Sequence, residues 1–582
     1  MAGFPPPTTY RPAIVGRHYV AAAGHYLATM AAVRILEIGG NAIDAGVAAG
    51  LCTNVLQTDM TNIGGVAPII LYHAGKNVVR TISGLGSWPV ATSREFFLNE
   101  CGGKIPDGVH HCVMPAAVDS WTTALKEFGT LSFAEVAAPA IALAEEGFAT
   151  YDFFAANIAA DAARLAQWPS NAAIYLPGGA PPKVGERFVQ ADLGGLLRML
   201  VEAEDGASHL GREAAIQAAR DRFYTGDIAE RTARFFQEQG GFLTLDDLKN
   251  FHVDIEDPVM AGYRGYQVYS CGPWCQGPVI PQTMAILEGY DLASLGHNSA
   301  STLHLILEAM NAAFADRERY VGDPKFVDVP IAGMLSPEYA ATWRARINPE
   351  RAFGAMPEPG DPWRFQPGSN RSKQMTPGDP RAFRAKVDPD TSYLCVVDEA
   401  GNAFSATPSD GVTNTPIVPG LGFIVSGRGG QSWLDAAHPS VLAPGKRPRL
   451  TPSPALLMKE GRLVAPLGSP GNDVQVQAIV QLLVNLIDFG MDPQAAVEAP
   501  RVATFSFPRS STPHPYSPGL VNAESRIPAE TLAELSRRGH RVEPWGDWEP
   551  RAGSLCTIVV DGEQRLLTGA ADPRRMAYAM GW

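Results

Sequence analysis

The sequence lacks the features of a membrane protein and of a nucleic-acid-binding protein. It has no apolar run of the roughly 18 residues that a membrane-spanning helix requires. Lys and Arg residues do not cluster, and the formal net charge is −13, whereas binding to a phosphate backbone needs basic patches. The N-terminal segment has no basic residues followed by an apolar core, the pattern of a secretory signal. We therefore expect a cytoplasmic protein without a membrane or nucleic-acid partner.

Cysteine is scarce too, which argues against a disulfide framework. The chain has 7 cysteines in 582 residues, an odd number scattered along the sequence. Cys271 and Cys275 are separated by three residues, but no second Cys or His pair follows at zinc-binding spacing. Free thiols are the expected state, and the sequence implies no metal or organic cofactor.

Helical and strand-like patterns occur over most of the chain. Apolar residues repeat at helical spacing from Ala28, the pattern breaks at Gly39-Gly40, and Asn41 is placed to cap a second helix that starts at Ala42. Further predicted helices are 133–146, 193–204, 301–320, 475–489 and 529–538. Predicted strands are 68–73, 267–270, 393–397, 403–407, 422–426, 455–459, 463–467, 554–560 and 565–568. Separate runs of helices and strands favour a layered α+β fold.

A proline-rich segment at 349–390 divides the chain. It contains PEPGDPWRFQPGSNRSKQMTPGDP and shows no periodic apolar pattern, so we predict a long exposed connection. Thr391 then opens an alternating strand, and a turn at 399–402 leads to a second strand, as in a hairpin. The abrupt change from linker to strand draws attention to Thr391.

Thr391 is the candidate nucleophile. If the peptide bond between Asp390 and Thr391 is cut, Thr391 acquires a free α-amino group beside its own hydroxyl. The ordinary pKa of such an amine is roughly 7.7–8.0, so it can accept the hydroxyl proton and activate an otherwise weak nucleophile. On the local pattern alone, an ordinary strand threonine is the competing interpretation.

Several motifs, in order along the chain, resemble the gamma-glutamyltransferase superfamily of N-terminal-nucleophile (Ntn) hydrolases. Residues 391–409, TSYLCVVDEAGNAFSATPS, are similar to the start of that family's small subunit. The other matching segments are RILEIGGNAIDAGVA from Arg34, NIGG from Asn62, AAFADRERYVGDP from Ala312, GSPG from Gly468 and ADPR from Ala571. The resemblance covers nearly the whole chain.

The resemblance implies an αββα four-layer sandwich and self-cleavage before Thr391. The products would be a large subunit, 1–390, which ends in the linker 349–390, and a small subunit, 391–582, which begins at the nucleophile. In the family the two subunits stay together after cleavage.

The resemblance also implies roles for three further residues. Thr391 would form an acyl-enzyme, and the loop that contains Gly471 and Asn472 would supply the backbone N–H groups of the oxyanion hole. Ser409 aligns with a family threonine whose hydroxyl contacts the nucleophile. A plain helix-entry glycine at 471 and a turn-forming serine at 409 are the alternative interpretations.

The residues that bind a glutamyl group in the family are largely missing. The segment that holds the family's arginine reads GLGSWP from Gly84. The paired serines are replaced by Leu450-Thr451, and the acidic segment by SGRGGQSW from Ser426. Unpaired ammonium and carboxylate groups are costly to desolvate, so we expect a different substrate. The candidate substrate-binding residues are Trp88, Arg428, Gln431, Trp433, Arg449 and Thr451.

The sequence therefore predicts a self-processing amidohydrolase or acylase that cleaves a small non-peptide amide through a Thr acyl-enzyme. It resembles the oxamate amidohydrolase-like and cephalosporin acylase-like members of the superfamily. The alternatives are a gamma-glutamyltransferase or glutathione hydrolase with rearranged contacts, and a non-catalytic homologue that acts as a binding protein. For each candidate binding residue, ordinary packing or a solvated charge is the alternative. The expected partners are the amide substrate and the two fragments of the chain, and a homo-oligomer stays open.

Overall fold

The computed structural model describes residues 9–368, 377–378, 380–384 and 391–582. The β-strands among these residues are β1 (Ile14–Gly16), β2 (Val20–Ala23), β3 (Ile69–His73), β4 (Val78–Ile82), β5 (Phe148–Ala149), β6 (Arg187–Phe188), β7 (Ile255–Glu256), β8 (Val259–Tyr263), β9 (Tyr266–Ser270), β10 (Leu394–Val397), β11 (Ala403–Ala406), β12 (Ala455–Lys459), β13 (Arg462–Gly468), β14 (Val502–Thr504), β15 (Leu520–Glu524), β16 (Arg541–Trp545), β17 (Cys556–Asp561), β18 (Leu566–Ala571) and β19 (Tyr578–Gly581).

The α-helices among the same residues are α1 (Tyr26–Glu37), α2 (Ala42–Leu56), α3 (Arg94–Asn99), α4 (Ala117–Phe128), α5 (Phe133–Glu146), α6 (Asp152–Ala160), α7 (Ala162–Leu165), α8 (Pro169–Tyr175), α9 (Ala191–Ala207), α10 (Arg212–Tyr224), α11 (Asp227–Glu238), α12 (Leu245–Lys249), α13 (Val279–Leu287), α14 (Leu292–Leu295), α15 (Ala300–Tyr320), α16 (Ile331–Met334), α17 (Pro337–Arg346), α18 (Val474–Ile487), α19 (Pro493–Glu498) and α20 (Ala529–Arg537). Within the described part of the chain, no helix combines the length and the apolarity needed to cross a membrane.

Two seven-stranded sheets carry the fold, and each contains strands from before and after position 391. The first sheet has the order β1-β18-β17-β13-β12-β9-β8, and the second has the order β19-β2-β10-β11-β3-β4-β7. In the second sheet β10 pairs with β2 on one side and with β11 on the other, and β11 pairs with β3. The two parts of the chain therefore fill each other's sheet edges.

The alternation of side chains along β10 reveals the layers. Leu394 and Val396 belong to a core that includes helices α1, α2 and α5. Cys395 and Val397 point the other way, into a core shared with β12, β13 and β17 of the first sheet. The opposite face of the first sheet packs on α13, α15 and α18. Because both sheets are covered on both faces, the order of layers is helix, sheet, sheet, helix, as the resemblance implied.

The predicted break between the first two helices is confirmed. α1 ends at Glu37, and α2 begins at Ala42 behind a capping box, in which the Asn41 side chain accepts from the N–H of Asp44 and the Asp44 carboxylate accepts from the N–H of Asn41. Such a cap satisfies backbone donors that a helix N-terminus leaves without intrahelical partners. The other predicted helices are also present, with ends that differ by a few residues.

The prediction of a strand at 422–426 is wrong. The segment contains only an isolated bridge between Ile417 and Ile424. Its apolar residues Phe423, Ile424 and Val425 are core residues, which explains the strand-like pattern. Gly422, however, has a φ of 70°, and Ile424 donates its N–H to the side chain of Asn62 at 3.2 Å. The segment is a buried loop: the carbonyls of Phe423 and Ser426 accept from isolated backbone N–H groups, and Ile424 bonds to a side chain, so no continuous pairing with a neighbouring strand forms.

The described part of the linker 349–390 has little regular structure. It contains one short 3₁₀ helix, Pro362–Phe365, and an isolated bridge from Phe383 to Tyr516. Asp390, on the far side of the predicted cleavage point, lies outside the described residues.

Candidate active site

The hairpin register places Thr391 opposite Ser409. β10 and β11 pair antiparallel, with Leu394 opposite Ala406. The same register, continued by three residues, pairs Thr391 with Ser409, and an isolated antiparallel bridge joins these two residues. Their hydroxyl oxygens lie 2.8 Å apart, and both residues are fully buried. The contact predicted from the family resemblance is thus present and follows from the geometry of the hairpin.

A buried arginine stands behind Ser409. Arg428, in a short 3₁₀ helix at Arg428–Gln431, donates a hydrogen bond from Nη2 to Ser409 Oγ. Its Nε forms an ion pair at 2.6 Å with Asp410 Oδ1, and both side chains are almost fully buried. A guanidinium one hydroxyl away from Thr391 stabilises negative charge that develops on the threonine oxygen.

Gln475 reaches the hydroxyl of Thr391 from the start of helix α18. It lies in the first turn of α18, and its Nε2 is 3.3 Å from Thr391 Oγ1. Its Oε1 is buried and has no hydrogen-bond partner among the described residues. Gln475 is not among the residues predicted from the sequence, although its position four residues after Gly471 points to the same loop. We refer to Thr391, Ser409, Arg428 and Gln475 as the nucleophile cluster.

The loop that precedes α18 has the backbone conformation expected of an anion-binding turn. Gly471 has a φ of 122° and Asn472 a φ of 53°. Asparagine is one of the few residues with a side chain that adopt positive φ readily, so Asn472 replaces the second glycine of the family's loop without a steric conflict. Gly468 is also required, because a Cβ there would lie 2.0 Å from the ring of Tyr393.

Asp473 anchors this loop. Its carboxylate accepts from Arg317 at 2.6 Å, from Arg509 at 3.1 Å and from the hydroxyl of Ser510 at 2.6 Å. Burial raises the pKa of Asp473, but the Arg317 and Arg509 guanidinium groups outweigh it and hold the pKa below its usual value. The ionised carboxylate fixes the start of α18, where the positive end of the helix dipole points towards the nucleophile cluster.

A cavity of about 400 Å³ lies beside the nucleophile cluster, and two predicted substrate-binding residues line it. They are Arg428 and Gln431. Gln431 donates to the hydroxyl of Thr451 at 2.9 Å and accepts from its backbone N–H at 3.1 Å. Thr451 itself is fully buried, so it positions Gln431 from behind.

The other three predicted substrate-binding residues lie outside this cavity wall. Trp88 packs beneath the 3₁₀ helix, since a Cβ on Gly429 would lie 2.4 Å from its ring, and it lines a separate cavity of about 580 Å³. Trp433 stacks between two histidine rings, with centroids 4.1 and 3.9 Å away. Arg449 is buried and bonds to Glu318 at 2.6 Å. The two tryptophans therefore pack against other side chains, and Arg449 forms an internal ion pair.

The residues that the structure describes hold no group of three or more His, Cys, Asp or Glu side chains suited to a metal ion. All seven cysteines are free, and six of them are buried.

Comparison with known proteins agrees with this geometry. The family model for gamma-glutamyltranspeptidase matches residues 28–582. The chain belongs to the gamma-glutamyltranspeptidase family. Relatives include the glutathione hydrolase-like YwrD proenzyme of Bacillus subtilis, 32% identical over 98% of this chain and 99% of the relative. The acylase ACY 1 proenzyme of Pseudomonas sp. strain SE83 is 33% identical over 96% of this chain and 92% of the relative.

A solved structure supports the same membership. The crystal structure of cephalosporin acylase from Bacillus halodurans superposes with a TM-score of 0.84 at 28% identity, and the match covers 100% of this chain and 99% of that one. The relatives in this family are named acylases and glutathione hydrolases, and both names describe enzymes that hydrolyse an amide bond. The protein is therefore an Ntn-type amide hydrolase.

Proposed function

We propose that the protein cuts its own chain before Thr391 and then uses Thr391 to hydrolyse a small amide whose acyl group is not γ-glutamyl. The observation that carries the proposal is the nucleophile cluster: the Thr391 hydroxyl is held by Ser409 and Gln475 at 2.8 and 3.3 Å. Both curated relatives described above are named as proenzymes, which supports processing into two fragments of one chain.

In the proposed reaction Thr391 Oγ1 attacks the amide carbonyl carbon while its proton passes to the α-amino group of the same residue. The backbone N–H groups of Gly471 and Asn472 stabilise the oxyanion of the tetrahedral intermediate. The C–N bond then breaks, the leaving amine takes the proton, and an acyl-enzyme ester remains. Water attacks this ester and releases the carboxylic acid. Gln475 Oε1 is available as an acceptor for the new α-amino group.

The interleaving of the two sheets supports a cleaved but associated product. A fragment 391–582 would contain β10 and β11, while their sheet neighbours β2 and β3 belong to a fragment 1–390. β19, at the chain's end, also pairs with β2. Separation would expose the strand edges and the apolar core between the sheets at once, so the fragments are expected to stay together.

Charge pairing supports a substrate other than a γ-glutamyl compound. The two arginines among the candidate substrate-binding residues, Arg428 and Arg449, form ion pairs with Asp410 and Glu318 instead of being free to bind a substrate carboxylate. The family's glutamyl-binding arginine has no counterpart at 84–89. Desolvation of a carboxylate without a cation is costly, so a glutamyl head group is disfavoured here.

A substrate comparison tests the proposal. kcat/KM is measured on the processed enzyme for γ-glutamyl-p-nitroanilide and glutathione, and for a panel of simple amides that includes oxamate and short N-acyl anilides. We expect the glutamyl compounds to fall below the best panel member by about two orders of magnitude, as for the loss of a charge-paired contact. A glutathione value at or above the best panel member would contradict the proposed specificity.

A further inference from the structure

The cavity beside the nucleophile cluster has buried polar atoms that nothing in the described chain satisfies. Asp59 Oδ1, His111 Nε2 and Thr415 Oγ1 are all buried and without a hydrogen-bond partner among the described residues. All three residues line the same cavity. We refer to these three residues as the recognition wall. Buried polar groups in a folded protein are nearly always bonded, so three unbonded polar atoms on residues that line one cavity indicate a place for a ligand.

The cavity lining holds more carboxylate than guanidinium side chains. Each guanidinium group has a carboxylate neighbour on the lining: Arg164 pairs with Asp107 at 2.8 Å, Arg428 with Asp410 at 2.6 Å, and Arg551 with Glu549 at 2.7 Å. Asp59 has no cation within ion-pair distance among the described residues. The wall therefore carries a carboxylate that forms no direct ion pair with a guanidinium among the described residues.

Asp59 is rigidly placed near the nucleophile. Its backbone carbonyl lies so close to Gly411 that a Cβ there would be 2.2 Å from it. The neighbouring Thr58 carbonyl accepts from the N–H of Val412 at 3.0 Å. Two residues earlier, the Gln57 side chain accepts from the hydroxyl of Ser392 at 2.6 Å. The segment 57–59 thus contacts Ser392, directly after Thr391, and Gly411 and Val412, two and three residues after Ser409.

One carboxylate oxygen of Asp59 accepts a hydrogen bond from a neighbouring side chain, and the other does not. Oδ2 accepts from Asn157 at 2.7 Å, whereas Oδ1 has no partner in the described chain. Asp59 is only 6% exposed, and burial raises its pKa to about 7, although Asn157 and Arg575 act in the opposite direction. Arg575 itself bonds to the carbonyl of Pro550 at 2.8 Å. A bound cation would offset the desolvation of this carboxylate.

We propose that Asp59 binds a cationic amine of the substrate in this cavity, which narrows the substrate class to small amides that carry an ammonium group. The inference rests on the proposed function of Thr391 as the nucleophile. An ammonium group has three N–H donors and no acceptor. It matches a wall whose strongest acceptor is a carboxylate and whose other orphan atoms, on His111 and Thr415, also accept hydrogen bonds. Burial lowers the pKa of His111, so its ring is neutral and does not repel the ammonium group.

A binding experiment that needs no turnover tests the inference. The processed wild-type enzyme is titrated by calorimetry with 1-pentylamine and with 1-pentanol at pH 8, where Asp59 is ionised and pentylamine is protonated. The amine is expected to bind at least about tenfold more tightly than the alcohol, as for a hydrogen bond between charged groups. Equal affinity of the two ligands, or no binding of the amine at millimolar concentration, would overturn the inference.

Matched variants assign any preference to Asp59. Asp59→Asn keeps the shape of the side chain and should remove the preference for the amine, while Asp59→Glu keeps the charge and should retain part of it. Asp246→Asn makes the same chemical change at an exposed position of α12, and its titration should match wild type. Amine selectivity that survives in Asp59→Asn would also overturn the inference.

Turnover of p-nitroanilides, measured in parallel, keeps the two proposals separate. The 5-aminopentanoyl and hexanoyl anilides have acyl chains of the same length and differ in the terminal ammonium group. Hydrolysis of both without a preference would refute the amine site and leave the nucleophile assignment intact. Amine binding in calorimetry without hydrolysis of any anilide would refute the assignment of Thr391 as the nucleophile and leave the amine site intact.

Discussion

The nucleophile cluster and the recognition wall lie beside each other but satisfy their polar groups differently. In the cluster the side chains bond to one another, Arg428 to Ser409, Ser409 to Thr391 and Gln475 to Thr391, and Gln475 Oε1 is left without a partner in the described chain. On the wall, Asp59 Oδ1 and His111 Nε2 are buried without partners in the described chain. A connected network holds a reactive atom in one position. A wall with spare acceptors is complementary to a ligand and becomes fully bonded only when that ligand is present.

This difference separates chemistry from recognition. In the cluster, Thr391 and Ser409 flank the hairpin of β10 and β11, Gln475 lies at the start of α18, and Arg428 lies in the 3₁₀ helix Arg428–Gln431. The wall draws on loops after α2, before α4 and after β11, so substitutions there change the substrate without displacing Thr391. Gamma-glutamyltranspeptidase-family members with different substrates are expected from such an arrangement.

The largest expected effect that distinguishes the two regions comes from Arg428→Met. The variant removes the guanidinium behind Ser409 and leaves Asp410 buried without its ion pair. kcat for the best amide should fall by about 100-fold or more, and the free energy of unfolding by about 3 kcal/mol. Stopped assays and urea unfolding measure the two effects.

A double variant, Arg428→Met with Asp410→Asn, tells stability and catalysis apart. Removal of both charges should restore most of the unfolding free energy, since no uncompensated charge remains. kcat should stay low, because the positive charge near Thr391 is still absent. Recovery of wild-type kcat in the double variant would show that Arg428 acts only on stability.

Gln475→Ala should have a smaller effect that is confined to the chemical step. The loss of one hydrogen bond to Thr391 Oγ1 is expected to lower kcat by about tenfold, with KM nearly unchanged because Gln475 is not part of the recognition wall. Gln481→Ala, in the same helix, removes bonds to the carbonyls of Gln477 and Val502 instead. This control should lower the unfolding temperature and keep kcat. Equal kcat values for the two variants would refute a positioning role for Gln475.

Asp59→Asn is expected to change the free energy of unfolding with a defined pH dependence. The pKa of Asp59 is raised to about 7 in the folded protein, above the ordinary value of about 3.9. Between these values the unfolded chain binds fewer protons, so ionisation of this group destabilises the fold as pH rises from about 4 to 7. The variant should gain stability relative to wild type over that interval, and the gain should level off above pH 7. A difference that stays constant from pH 4 to pH 8 would contradict a buried, unpaired carboxylate.

The sequence predicts one of these regions far better than the other for a physical reason. Thr391 and Ser409 meet because a tight turn at 399–402 fixes the register of one hairpin, and hairpins are local. Asn472 lies where a family glycine is expected, and its tolerance of positive φ explains the exchange. Such features depend on residues close in the chain.

The recognition wall depends on contacts between distant segments. Asp59, His111 and Thr415 come together through the packing of three loops, and none of them forms a motif with its neighbours. His111 stands in a polar stretch of sequence, yet the structure buries it. The buried loop at 422–426 was predicted as a strand for a related reason, since apolar pattern alone does not reveal whether the backbone bonds to a strand or to a side chain. Tertiary packing decides such cases.

Intact-mass analysis with N-terminal sequencing tests the central claim, that Thr391 is the nucleophile of both self-cleavage and hydrolysis. Self-cleavage before Thr391 should give two fragments of the 62.1 kDa chain, the smaller beginning at Thr391. Thr391→Ala should give a single uncut chain without measurable amide hydrolysis, and Thr391→Ser, which keeps the hydroxyl, should give partial cleavage and activity. An uncut wild-type chain with full activity, or an active Thr391→Ala variant, would contradict the account.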